Sequence, residues 1–147
     1  DPPLNADAKI QPIIADLQAA SNFAGLVDVL RVSDIARKTE AARALGNLAS
    51  NNDNMTKIVR AGGVEVLVQL LRTGNSEGKT EAARALRRLA CGPENQKTIA
   101  LAGAVEPLVQ LIWTGETAGK TQAAGALDSL ARNNADNQVA IARAKAS

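Results

Sequence analysis

The 147-residue chain has no histidine and no tyrosine, and only one cysteine, methionine, tryptophan and phenylalanine each. Without histidine, neither a Ser-His-Asp triad nor a Cys-His pair can be assembled, and zinc sites of the usual Cys/His kind lack their ligands. A single cysteine excludes an internal disulfide framework. Aromatic residues make up 1% of the chain, so a sandwich or barrel, which draws on Val, Ile, Tyr and Phe, is not expected. No charge of one sign dominates. Seventeen Lys and Arg stand against fifteen Asp and Glu, a net charge of +2, which is too little to draw the whole molecule to nucleic acid or anionic lipid. No run of eighteen apolar residues occurs, and Asp1-Pro2-Pro3 forms neither the basic nor the apolar part of a secretory leader. An intracellular protein with no membrane association, cytoplasmic or nuclear, is expected. The chain does not open on Met, which suggests a piece trimmed from a longer one.

What fills the chain instead is Ala and Leu, the strongest helix formers. With 46% apolar and 22% charged residues, it reads as globular and all-helical. It also repeats. KTEAARALGNLAS at 38–50 and KTEAARALRRLAC at 79–91 share ten of thirteen positions, and KTQAAGALDSLAR follows at 120–132, each copy 41 residues after the last. The same period relates ASNFAGLVDVL from Ala20, AGGVEVLVQLL from Ala61 and AGAVEPLVQLI from Ala102. A third segment recurs as DNMTKIVR from Asp53, ENQKTIAL from Glu94 and DNQVAIAR from Asp136, the last displaced by one inserted residue. The whole chain, 1–147, is therefore read as one domain: repeats at about 9–50, 51–91 and 92–132, and a partial repeat at about 133–147.

Each unit is expected to hold three helices. In the longest, Ala82, Ala83, Leu86, Leu89 and Ala90 recur at helical spacing and form a face for the core. Gly62-Gly63 and Gly103 can turn the chain between the first and second helices, and Gly74 and Gly115 end the second. Asn75 or Ser76, and Ser33 or Asp34, are candidate caps for the third. Pro107 and Pro12 suit opening turns of helices. Lys145 stands where the turn glycine would fall in the last unit.

These segments resemble armadillo repeats, on the three-helix unit of about forty residues, the AGGVEVLVQLL and AGAVEPLVQLI turn-helix segments and the closing AARALGNLA element. The resemblance covers nearly the whole chain. It implies a right-handed alpha-alpha superhelix, an armadillo-type solenoid whose third helices line a concave groove, and a non-catalytic scaffold for protein–protein interaction that holds an extended peptide there. It also implies that an Asn on successive third helices contacts the ligand backbone. Asn47 matches that position, but the equivalents are Arg88 and Ser129. Importin-like members carry Trp one turn earlier, where this chain has Arg43, Arg84 and Gly125, so a Lys-rich nuclear localisation peptide is not favoured.

Arg43, Arg84, Arg87 and Arg88 fall on one helical face at i, i+3 and i+4 spacings or their repeat equivalents. Guanidinium groups bind carboxylates and phosphates in bidentate geometry. An extended acidic or phosphorylated partner is therefore expected, as in catenin-like grooves. Glu40 and Glu81 each precede an arginine by three residues and can pair with it, and Gln122 takes their place in the third unit. The expected groove residues are thus Glu40, Arg43, Asn47, Glu81, Arg84, Arg87, Arg88, Gln122 and Ser129. No catalytic residue, cofactor or metal is expected.

Two alternatives differ in class. Helical repeats can bind nucleic acid on a superhelical surface, but stacking aromatics are missing here and the net charge is small. Alternatively, uncapped repeat ends could pair two copies as a homodimer. GNSEGKT at 74–80 and GETAGKT at 115–121 look like phosphate-binding loops but are one residue short and follow helices rather than strands. Cys91 is expected to be partly exposed and inert, and Trp113, which stands where the other units have Arg31 and Arg72, to be partly exposed and packed against a neighbouring turn. Asn54-Met55-Thr56 fits a glycosylation tripeptide but falls inside a helix.

Overall fold

A computed structural model describes residues 14–147. Pro12 and the start of the first unit lie outside the described residues. Residues 14–19 are helical, and nine further helices follow: α1 (Phe23–Val32), α2 (Ile35–Leu48), α3 (Asn52–Arg60), α4 (Gly63–Thr73), α5 (Ser76–Leu89), α6 (Pro93–Leu101), α7 (Val105–Thr114), α8 (Thr117–Ala131) and α9 (Ala135–Ala146). There is no strand among the described residues.

The boundaries follow from local chemistry. Asn22, Asp34, Asn51, Asn75 and Asn134 accept backbone N–H bonds at the starts of α1, α2, α3, α5 and α9, satisfying donors that a helix leaves unpaired. Asp34 and Asn75, rather than Ser33 and Ser76, are thus the caps of α2 and α5. Helices α4 and α7 have no side-chain cap and follow a left-handed turn at Gly62 (φ 89°) and at Gly103 (φ 88°). In the first unit Ser21 takes that place with φ 53°. The inserted residue of the last unit is absorbed the same way, by Asn133 at φ 53° in the turn before α9. Pro107 stands in the first turn of α7 and Pro93 opens α6. No glycine interrupts the last helix at Lys145, and α9 runs on to Ala146.

The core is a periodic stack. Ile58, Ile99 and Ile141 come from the first helices of successive units, Leu26, Leu67 and Leu108 from the second, and Leu45, Leu86 and Leu127 from the third, and all are buried. Each such side chain contributes about 1.5–3 kcal/mol on leaving water. Among the described helices, α2 packs most extensively on α5, and α5 on α8. Close approach there depends on small residues: Ala41, Ala42, Ala44, Ala82, Ala83, Ala85, Ala123 and Ala126 are fully or almost fully buried. A Cβ added at Gly78 would lie 3.0 Å from Thr39 Oγ1, and one at Gly119 3.1 Å from Thr80 Oγ1. The same threonine-on-glycine contact thus recurs one period later and helps fix the spacing between third helices.

Polar groups seal the final junction. Gln96 Nε2 donates to the carbonyl oxygens of Ser129 (2.8 Å) and Arg132 (3.0 Å), Asn134 Nδ2 donates to Gln96 Oε1, and Asn137 Nδ2 donates to Leu130 O at 2.8 Å. Helix α9 is therefore tied to α6 and to the end of α8, where its apolar side also packs.

Candidate functional site

With α2, α5 and α8 held side by side by their alanine faces, the opposite faces present the polar residues singled out from the sequence. On α5 the residues Glu77, Glu81, Arg84 and Arg88 follow one another at four, three and four positions, so they form one stripe along that face. Residues Glu40, Arg43 and Asn47 sit on the neighbouring α2, and Gln122, Gly125 and Ser129 on α8.

The arginines do not form a uniform free stripe. Arg43 is enclosed by carboxylates: it pairs with Glu40 on its own helix, with Glu77 at 3.1 Å and with Glu81 at 3.4 Å. Partial burial alone would lower its pKa, but the hydrogen bond with Glu40 and the charges of Glu81, Glu40 and Glu77 outweigh this and raise it. Arg84 lies 3.4 Å from Glu81 and donates to Asn47 Oδ1 at 2.8 Å, so the amide oxygen of the expected ligand-binding asparagine is already engaged. Arg88 donates to Gly46 O at 2.7 Å. Burial, and then the like charges of Arg84 and Arg87, push its guanidinium below its ordinary pKa against the opposing charge of Glu81. Arg87 is exposed and reaches Gln122 Oε1 at 3.4 Å. Its side chain lies across Gly125, where a Cβ would come 2.4 Å from Arg87 Nε.

Two open clefts lie between α5 and α8, one at each end of the helices. The cleft at the N-terminal end is lined by Ser76, Glu77, Thr80, Glu81 and Glu116 among others, and no Lys or Arg lines it. The cleft at the C-terminal end includes Arg87, Arg132, Gln96 and Ser129 and has no acidic residue in its lining. The face is thus polarised across its width, acidic where the third helices begin and basic where they end. Glu77 and Glu116 were not singled out from the sequence. The signal was present: Glu77 continues the Glu81–Arg84 stripe one turn back, and Glu116 occupies the cap position held by Asp34 and Asn75.

The remaining motifs fall on the scaffold. GNSEGKT and GETAGKT bridge second and third helices, where Gly74 and Gly115 end α4 and α7. Asn54-Met55-Thr56 lies within α3, and Cys91 is exposed just past α5. Trp113 is 54% exposed. Among the described residues no group of His, Cys, Asp and Glu could hold a metal ion, and no helix is long and apolar enough to cross a membrane.

Comparison with known proteins agrees with this architecture. The armadillo/beta-catenin-like repeat family matches over residues 51–91. No curated protein matches the chain. Solved structures do. An engineered protein is 42% identical with a TM-score of 0.80, over 89% of this chain and 32% of its own. A second engineered protein is 36% identical with a TM-score of 0.81, over 89% of this chain and 55% of its own. A designed armadillo repeat protein in complex with the peptide (KR)4 is 30% identical with a TM-score of 0.79, over 89% of this chain and 56% of its own. The chain therefore spans between a third and just over half the length of these proteins. The fold is the right-handed α–α superhelix of that architecture, and the chain is similar to armadillo-repeat proteins, with residues 51–91 matching one repeat of that family.

Proposed function

We propose that the chain is a non-catalytic scaffold that holds an extended peptide segment across the faces of α2, α5 and α8, the concave side of the superhelix, with acidic or phosphorylated side chains of the partner against Arg84, Arg87 and Arg88. The observation that carries this reading is the crowding of three guanidinium groups at the end of α5. Arg88 keeps its charge beside two like charges, and Arg87 is exposed with one weak partner. An incoming carboxylate or phosphate relieves that repulsion and can form charge-assisted hydrogen bonds. Arg43, by contrast, is satisfied by three glutamates and is not offered to a ligand. The designed relative that holds a (KR)4 peptide supports peptide binding as what such a face does, while the charge it selects depends on the side chains each chain places there.

The test is a panel of acidic, phosphorylated, basic and neutral extended peptides, with a polynucleotide alongside, probed with the wild type and an Arg87→Glu variant. Arg87 is chosen because its reversal leaves the hydrogen bonds of Arg84 and Arg88 intact. Acidic or phosphorylated peptides should bind the wild type and lose at least several-fold affinity with the variant. Preferential binding of polynucleotide, with affinity falling steeply as salt is added, would move the reading to nucleic acid.

A further inference from the structure

The polarity of the α5–α8 face says more about the peptide than its net charge. We propose that this face reads alternation: an extended segment in which acidic side chains alternate with Lys or Arg, the acids directed to the Arg87 and Arg88 edge and the bases to the Glu77 and Glu116 edge. This inference rests on the peptide-binding reading above and refines the partner.

Third helices stand side by side, so a peptide running along their row crosses each helix axis. In an extended chain successive side chains point to opposite sides. Odd positions therefore face one end of the helices and even positions the other. Those two ends carry opposite charge here. At the N-terminal end Glu40, Glu77 and Glu81 surround the guanidinium of Arg43, and Glu77, Glu81 and Glu116 line the cleft toward α8. Glu116 has the Ser76 hydroxyl as its partner, and the Glu77 side chain is 68% exposed. At the C-terminal end stand Arg87, Arg88 and Arg132, of which Arg132 pairs with Asp128 at 2.8 Å on an exposed surface. Glu77 and Arg88 are separated by eleven positions of α5, about 16 Å at the helical rise of about 1.5 Å per residue. That width suits a backbone lying along the Asn47–Arg84 line with long side chains reaching out on both sides. A wholly acidic peptide would aim every second carboxylate at Glu77 and Glu116, and a wholly basic one would aim every second cation at Arg87 and Arg88. Either mismatch sets like charges against each other.

Row length sets the probe. Three helices at interaxial distances of about 8–10 Å span about six extended residues at about 3.3 Å each, so octapeptides cover the face. The decisive comparison is between a Glu/Lys octapeptide in strict alternation and one of equal composition arranged in pairs, two Glu then two Lys, which puts both signs on both sides. An all-Glu octapeptide accompanies them. All are measured by fluorescence polarisation at low salt against the wild type and a Glu77→Lys/Glu116→Lys variant. The strictly alternating peptide should bind the wild type about tenfold tighter than the paired one. The variant should lose this difference and gain affinity for all-Glu. Equal binding of the alternating and paired peptides, with all-Glu tighter than both, overturns the alternation inference and leaves the acidic-peptide reading standing. Absence of binding by all three removes both.

Discussion

Two turns of the superhelix separate backbone strain from crowding, because at Gly62 and Gly92 the two effects point in opposite directions. Both have positive φ, 89° and 87°, but ψ is 21° at Gly62 and 156° at Gly92. Gly62 therefore lies in the ordinary left-handed region, which an L-residue enters at a cost of about 1–2 kcal/mol and which Asn enters more easily. Gly92 lies in a region that is essentially reserved for glycine, where a side chain costs up to about 3 kcal/mol. Crowding ranks them the other way. A Cβ at Gly62 would come 3.0 Å from Arg31 Nη2, whereas one at Gly92 meets nothing within 4 Å. The Arg31 side chain is 54% exposed and can swing aside, so the backbone should decide the ranking. Gly92→Ala is expected to lose about 2–3 kcal/mol and Gly62→Ala about 1–2 kcal/mol. Gly62→Asn should recover much of its loss and Gly92→Asn should not. Urea unfolding followed by far-UV circular dichroism, with equal slopes for all variants, measures the differences directly. Gly62→Ala as the more damaging change, or full recovery by Gly92→Asn, would refute the strain argument.

Two further predictions concern the joints between units. Asn137→Ala removes the donor to Leu130 O in a buried setting and should cost about 1–3 kcal/mol, with hydrogen exchange accelerating in α9 before α5; uniform acceleration would contradict a local clamp. A double-mutant cycle of Arg43→Ala and Glu77→Ala should give a coupling below about 1 kcal/mol that shrinks with added salt. A larger, salt-insensitive coupling would mean that this bridge between α2 and α5 is shielded from solvent, contrary to the 68% exposure of the Glu77 side chain.

The architecture was legible because the repeat states it three times. Thirteen-residue segments 41 positions apart cannot differ in fold when their apolar positions coincide, and buried Ala82, Ala83, Leu86, Leu89 and Ala90 lie where the helical period puts them. Cap choices were not legible. Ser33 and Asp34 are both competent caps, and in the structure Ser33 closes α1 while the Asp34 side chain accepts from Arg37 N. The site was legible as a list of residues and opaque as an electrostatic surface. Spacing along one helix gives the Glu40–Arg43 and Glu81–Arg84 pairs, because i and i+3 are neighbours. Spacing cannot show that Glu77 and Glu81 of α5 reach Arg43 of α2, since that contact depends on how far apart the helices stand. That distance is set by alanine, threonine and glycine, not by the charges themselves.

The outward positions explain why charge collects on the middle helix. Inward residues of the three units coincide because stacking leaves them no freedom, while outward ones diverge: Arg43, Arg84 and Gly125 occupy one repeat position, and Gly46, Arg87 and Asp128 another. The two glycines in these sets are not idle. A Cβ at Gly46 would lie 3.1 Å from Arg84 Nη1, and one at Gly125 2.4 Å from Arg87 Nε, so each bare stretch of helix receives an arginine from the adjoining unit. Those side chains rest on a neighbour's backbone instead of sweeping solvent, and less of their rotamer freedom remains to be lost when a ligand binds. Replacing either glycine by a bulky residue would lift its arginine off the surface and weaken peptide binding without removing a charge. Divergence between units has thus fixed the positions of the guanidinium groups as well as choosing them.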